Sequence, residues 1–188
     1  MRIAIFGLGY VGTVTAAGLA SQGHQVCGVD VDALKVEHIR SGRSPVVEPG
    51  IEELIATAVE SGDLTATTDP VAALERADVS LLCVGTPSKS QGGTDLTYLR
   101  RALDDIRQGL EVATPPASGF HAVVVRSTVP PGTGDEVVQY DVLRRAAGLG
   151  RRHGNVPRIP PRRARASPTS STRRSLCSAP PIRVSPTC

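Results

Sequence analysis

Arg2-Ile3-Ala4-Ile5-Phe6-Gly7-Leu8-Gly9-Tyr10-Val11-Gly12, with Asp30 eighteen residues beyond the last glycine, is the stretch on which the fold turns. Arg2–Phe6 is a short apolar run suited to a strand buried on both faces. A G-x-G-x-x-G pattern alone is weak evidence in a chain with 19 glycines. Here it stands between that strand and a small-residue helix running to about Gln22, with Gly23 as its stop. Gln25–Val29 follows as a second buried strand and ends at the acid. That context is what a dinucleotide fingerprint requires. Gly7 makes the tight turn, Gly9 lets the backbone approach a pyrophosphate, and Gly12 lets helix and strand pack closely. The pyrophosphate would meet the free N–H groups and positive dipole end of the helix. Asp30 would accept from the ribose hydroxyls and repel a 2′-phosphate, so the expected cofactor is NAD rather than NADP.

The same alternation continues downstream. Asp32 caps a helix carrying Val36 and Ile39 that stops near Gly42. Ile51–Glu60 reads as a helix with Leu54, Ile55 and Ala58 on one side. Leu64–Thr67 is a weak third strand, Pro70–Ala77 a short helix and Val79–Val84 a strong fourth strand. Leu96–Leu110 is an amphipathic helix with Leu99, Leu103, Ile106 and Leu110 along its stripe. Ala122–Arg126 is a fifth strand and Gly134–Ala147 a final helix. Strands alternating with helices predict an α/β fold, a Rossmann-like doubly wound parallel sheet. The sheet is expected to lack a sixth strand and to be incomplete at its C-terminal edge. Ligands in such sheets sit beyond the carboxyl ends of the strands, which puts Thr86 and Thr128, in the turns after strands four and five, at the cofactor crevice. The alternative is that both are ordinary turn residues.

The chain has 188 residues and a formal charge of +3, but that charge hides two unlike parts. Residues 1–150 hold 12 Lys and Arg against 18 Asp and Glu, a balance of −6; residues 151–188 hold 9 Arg and no acid. The expected organisation is a nucleotide-binding domain over 1–147 and an Arg/Pro-rich, disordered basic tail over 148–188. The tail reads either as family sequence translated out of frame or as a basic arm for phosphate-bearing partners. Aromatics are 3 % of the chain, too few for a base-stacking surface, so nucleic acid is not the expected partner. Cys27, Cys83, Cys177 and Cys188 form no C-x-x-C pair, and no metal site is expected. Ile3–Val29 lacks charge and imitates a secretory signal, but the glycine spacing explains it better. No membrane span is expected, because glycines and polar residues interrupt the run. The expected location is cytoplasmic, with reduced thiols.

Ile5–Gly12, Ser44-Pro45-Val46-Val47-Glu48-Pro49-Gly50, Cys83-Val84-Gly85-Thr86-Pro87-Ser88 and Val125-Arg126-Ser127-Thr128-Val129-Pro130-Pro131-Gly132-Thr133 together resemble the amino-terminal domain of the UDP-glucose/GDP-mannose dehydrogenase family. The match is ordered, covers about residues 1–147, and resembles the GDP-mannose branch most. The resemblance implies that Tyr10, Val11, Asp30, Lys35, Thr86 and Thr128 touch NAD, joining Gly7, Gly9 and Gly12. For Lys35 the resemblance alone suggests more than a solvated lysine. It further implies oxidation of a sugar C6 alcohol to a carboxylate by two hydride transfers to NAD, with a cysteine thiolate capturing the intermediate aldehyde. That cysteine is expected in a downstream segment outside these 188 residues, so no catalytic residue is assigned.

The leading expectation is therefore the NAD-binding domain of a sugar-nucleotide 6-dehydrogenase of the GDP-mannose to GDP-mannuronate type. The sugar nucleotide would be the partner of the full-length family, its site lying mostly elsewhere. The alternatives are a UDP-glucose or other UDP-sugar 6-dehydrogenase fragment, and a non-enzymatic NAD-binding module with a nucleic-acid-binding tail.

Overall fold

Alternation along the first strand sorts the core. In the computed structural model, which describes residues 1–90 and 92–133, β1 (Arg2–Phe6) sends Ile3 and Ile5 to one face of a sheet and Ala4 and Phe6 to the other. All four are buried, as a central strand of a doubly covered sheet requires. The described elements follow as α1 (Tyr10–Ala20), β2 (Gln25–Val29), α2 (Ala33–Arg40), α3 (Ile51–Glu60), β3 (Leu64–Thr67), α4 (Pro70–Leu74), β4 (Val79–Leu82), α5 (Thr97–Val112) and β5 (Ala122–Val125). The strands pair in parallel in the order β3-β2-β1-β4-β5. One core joins the Ile3/Ile5 face to Ala16, Ala17, Val36, Ile39, Ile51 and Ile55 of α1, α2 and α3. The other joins the Ala4/Phe6 face to Leu74, Leu99, Leu103 and Ile106 of α4 and α5. The expected Rossmann-like doubly wound sheet is present.

Register then places the rim. Phe6 is level with Val29 on one side and Leu82 on the other, and Leu82 is level with Val125. The residues one step beyond, Gly7, Asp30, Cys83 and Arg126, therefore share one edge. Hydrogen bonds continue the ladder into it: Gly7 N donates to Val29 O at 2.7 Å, Cys83 N to Phe6 O at 2.8 Å and Arg126 N to Leu82 O at 2.9 Å. The strand order reverses at β1 between β2 and β4, the switch point where open α/β sheets bind ligands.

Several boundaries differ from the sequence reading. The short helix ends at Leu74, not Ala77. Its exit is clamped, because Arg76 takes a left-handed φ of 55° while its N–H donates to Thr114 O at 2.8 Å. The fourth strand ends at Leu82, so Cys83 and Val84 belong to the rim turn. Leu54 is 42 % exposed, because the buried line of α3 runs through Ile51, Ile55 and Ala58 and places Leu54 at its margin. The Gly134–Ala147 helix and the 148–188 tail lie outside the described residues. Among the described residues, no helix is long and apolar enough to cross a membrane, and no cluster of three His, Cys, Asp or Glu could hold a metal.

His121, just before β5, joins two strands. Its Nδ1 donates to Ala77 O at 2.7 Å and its Nε2 accepts from the buried Ser80 hydroxyl at 2.9 Å, the arrangement of a neutral ring. Burial pushes its pKa below the ordinary 6.5, against the hydrogen bond to Ala77 and the charge of Asp78. The unfolded chain then binds a proton in a range where the folded chain does not. Stability is full above about pH 6.5 and falls as pH drops toward the folded-state value. Thermal melts between about pH 5 and pH 7 should show this slope, and His121→Asn should flatten it.

Candidate functional site

The glycine-rich turn folds around three close approaches. Gly7 has φ +99°, and a Cβ there would lie 2.8 Å from Cys83 O. A Cβ on Gly12 would overlap the Gly7 carbonyl and stand 3.3 Å from the Cys83 side chain. Helix α1 thus packs on the turn itself and on the rim residue beyond β4. Gly9, the residue that opens α1, is different: nothing lies within 4 Å of a Cβ built there. No side chain caps α1, nor α5, nor α3, whose first turn holds Glu52 and Glu53; Asp32 caps α2 and Asp69 caps α4 through backbone N–H groups. An uncapped helix start beside an open glycine is a cradle for an anion that brings its own oxygens. A pyrophosphate fits it.

Asp30 faces this turn from the end of β2. Its side chain is only 8 % exposed. Oδ2 accepts from Leu8 N at 2.7 Å and pairs with Lys35 Nζ at 3.3 Å, while Oδ1 accepts from Asp32 N at 2.9 Å. The carboxylate therefore holds the turn and retains lone pairs for a further donor. Lys35 is more than a solvated lysine, since its ammonium is the partner of this buried charge. Gly28 lets Leu8 press onto β2, because a Cβ there would lie 2.6 Å from Leu8 Cδ2. A lone glycine inside a strand signals such an approach, and sequence reasoning passed over it.

Thr86 and Thr128 meet each other. The Thr86 hydroxyl donates to Thr128 O at 2.8 Å, so its proton closes one rim turn on the next and only its lone pairs face outward. Ser127, unassigned from sequence, donates to Val84 O at 2.7 Å and locks the same junction. The structure thus gathers Gly7, Gly9, Tyr10, Val11, Gly12, Asp30 and Lys35 at the β1–β2 end, and Thr86 with Thr128 at the β4–β5 end of one rim. Tyr10, the first residue of α1, donates its phenol to Glu48 Oε2 at 2.6 Å. Burial raises the thiols of Cys27 and Cys83 above their usual range, so neither is a ready thiolate. A depression of about 220 Å³ lined by Arg2, Gln25, Thr65 and Glu75 lies at the opposite, amino end of the sheet. Strand geometry points to the carboxyl rim instead.

Residues 1–165 match the NAD binding domain of the UDP-glucose/GDP-mannose dehydrogenase family. The GDP-mannose 6-dehydrogenase of Pseudomonas aeruginosa is 49 % identical over 138 residues, which are 73 % of this chain and 31 % of that protein. The UDP-glucose 6-dehydrogenase of Rhizobium meliloti is 42 % identical over 138 residues, 73 % of this chain and 30 % of that protein. Among solved structures, a ternary complex of GDP-mannose dehydrogenase from Pseudomonas aeruginosa superposes with a TM-score of 0.69 at 48 % identity, covering 73 % of this chain and 31 % of the other. A UDP-glucose dehydrogenase from Pyrobaculum islandicum gives a TM-score of 0.70 at 38 % identity, covering 78 % and 33 %. The chain thus spans about a third of the length of these relatives.

The three glycines should separate fold from binding. Gly12→Ala should lower stability by about 1–3 kcal/mol or more, because the added methyl meets backbone. Gly9→Ala should lower stability by no more than about 1 kcal/mol, the cost of losing glycine at a helix N-cap, yet weaken NAD by about tenfold or more. Thermal melts and calorimetry on the two variants check both.

Proposed function

This chain belongs to the UDP-glucose/GDP-mannose dehydrogenase family and carries its NAD binding domain, and from that premise we propose that it serves a nucleotide-sugar 6-dehydrogenase acting on GDP-mannose. The observation that carries the cofactor role is the uncapped, open start of α1 facing the Asp30 carboxylate. In this reading the first N–H groups of α1 bind the pyrophosphate, with Gly9 leaving room for it. Asp30 accepts from the adenosine ribose, and Lys35 pairs with that carboxylate and holds it in place. Gly7 and Gly12 shape the turn, Tyr10 and Val11 flank it, and Thr86 and Thr128 line the rim toward the nicotinamide. The bound cofactor supplies a hydride acceptor.

GDP-mannose is favoured over a UDP-sugar by similarity. The relatives named GDP-mannose 6-dehydrogenase are 46–49 % identical, against 42 % and 39 % for two named UDP-glucose 6-dehydrogenase. No described residue is assigned to the sugar or to the chemical step. A graft of residues 1–133 in place of the matching segment of the Pseudomonas aeruginosa GDP-mannose 6-dehydrogenase tests the assignment. The graft should still reduce NAD when given GDP-mannose, and the same graft in the Rhizobium meliloti UDP-glucose enzyme should be less active. Equal failure in both hosts would contradict a dehydrogenase role.

Two outcomes are expected of the chain by itself. It should bind NAD more tightly than NADP, and Asp30→Ala should weaken NAD by about 1.5–3 kcal/mol through loss of a charge-assisted hydrogen bond. Equal affinity for the two cofactors would remove Asp30 from the ribose. With GDP-mannose and NAD the 188 residues should give no NADH above background, since no described residue is assigned to the sugar or to the chemical step and neither Cys27 nor Cys83 offers the thiolate that the second oxidation needs. NADH production abolished by Cys27→Ser or Cys83→Ser would contradict that.

A further inference from the structure

The segment Ser44-Pro45-Val46-Val47-Glu48-Pro49-Gly50, between α2 and α3, makes mostly local hydrogen bonds. Ser44 Oγ donates to Val46 O at 2.6 Å and accepts from Val46 N at 3.2 Å, and Ile51 N donates to Glu48 O at 3.3 Å. Val47 at its tip is 99 % exposed, so no apolar packing fastens it there. Among the described residues, one hydrogen bond leaves the segment for a distant part of the chain: the Tyr10 phenol donates to Glu48 Oε2 at 2.6 Å, across 38 residues of sequence. Tyr10 is the first residue of α1, next to Gly9, and is 55 % exposed. An aromatic ring so placed has two free torsions and open space beside it. The bond to Glu48 is the side-chain hydrogen bond that sets where the ring lies.

We propose that Glu48 is a positioning residue for the cofactor: by accepting from Tyr10 it holds the ring clear of the open start of α1 and fastens the Ser44–Gly50 segment beside that helix end. The inference rests on the reading of this helix end as the NAD pyrophosphate site. Binding then orders one ring and one loop fewer, which raises affinity without a new contact to the ligand. The hydrogen bond to Glu48 and its negative charge both push the Tyr10 pKa above 10.0. Glu48 acts in two opposed ways. Its bond to Tyr10 favours NAD, while its negative charge near an anion site disfavours it.

Glutamine separates the two, since it keeps an acceptor and removes the charge. Calorimetry with NAD on the full 188-residue chain should show Glu48→Ala and Tyr10→Phe each weakening binding about three- to tenfold. The double variant Tyr10→Phe/Glu48→Ala should be no weaker than either single one, and Glu48→Gln should bind at least as tightly as the unsubstituted chain. Hydrogen exchange gives a second reading. In the absence of NAD, amides of Val46, Val47 and Glu48 should already be protected in the unsubstituted chain, and Tyr10→Phe should speed their exchange. Binding unchanged in Glu48→Ala, or Glu48→Ala and Glu48→Gln shifting together, would overturn the inference while leaving the dinucleotide reading intact. Failure of the unsubstituted chain to bind NAD would overturn both.

Discussion

A carboxylate taken almost wholly out of water must find donors, and the donor nearest Asp30 is the backbone of the glycine-rich turn. The Leu8 N–H meets Oδ2 at 2.7 Å, with the Lys35 ammonium on the same oxygen. A buried charge left without such partners is costly, so the bond fixes the turn as firmly as the turn fixes the acid. The rest of the rim follows from it. With Leu8 held against β2, Gly7 must turn with positive φ, its carbonyl lies under Gly12, and α1 starts where no side chain reaches its first N–H groups. The carboxyl rim of the domain is thus stabilised by the residue proposed to read the ligand. Asp30 is a structural group first, and substitutions there test that role together with the proposed one.

Much of this was legible along the chain, because it is encoded locally. The apolar runs of β1 and β2 and the helix from Ile51 to Glu60 were read to the residue. The glycines and Asp30 were read for the same reason, since turn, helix start and acid stand in one βαβ unit. What escaped was set by contacts distant in sequence. Just past the early end of α4 the Arg76 N–H meets Thr114 O, and just past the early end of β4 Cys83 backs Gly7 and Gly12. The partnership of Tyr10 with Glu48 spans 38 residues, and no local pattern announces it. Lys35 came from resemblance, Thr86 and Thr128 from sheet topology as well, and their bonds to Asp30 and to each other emerge only from the fold.

The two thiols in the described residues bear on what chemistry the rim can supply. Cys27 lies within β2 and Cys83 beside the glycine turn, both with pKa values raised by burial. A thiol in that state packs as a small apolar residue. The rim accordingly offers backbone donors, one buried acid and threonine oxygens, a set suited to holding a dinucleotide and without a ready nucleophile. On the proposed function, the chemistry on the sugar belongs to residues other than these.

The most direct test of the rim as the dinucleotide site is an amide chemical-shift map of the isotope-labelled chain titrated with NAD. The largest shifts should fall on Leu8 to Gly12, Asp30 and the turns of Thr86 and Thr128, all at the carboxyl rim. Shifts concentrated instead at the amino-end depression of Arg2, Gln25, Thr65 and Glu75, or no saturable shift at all, would contradict it.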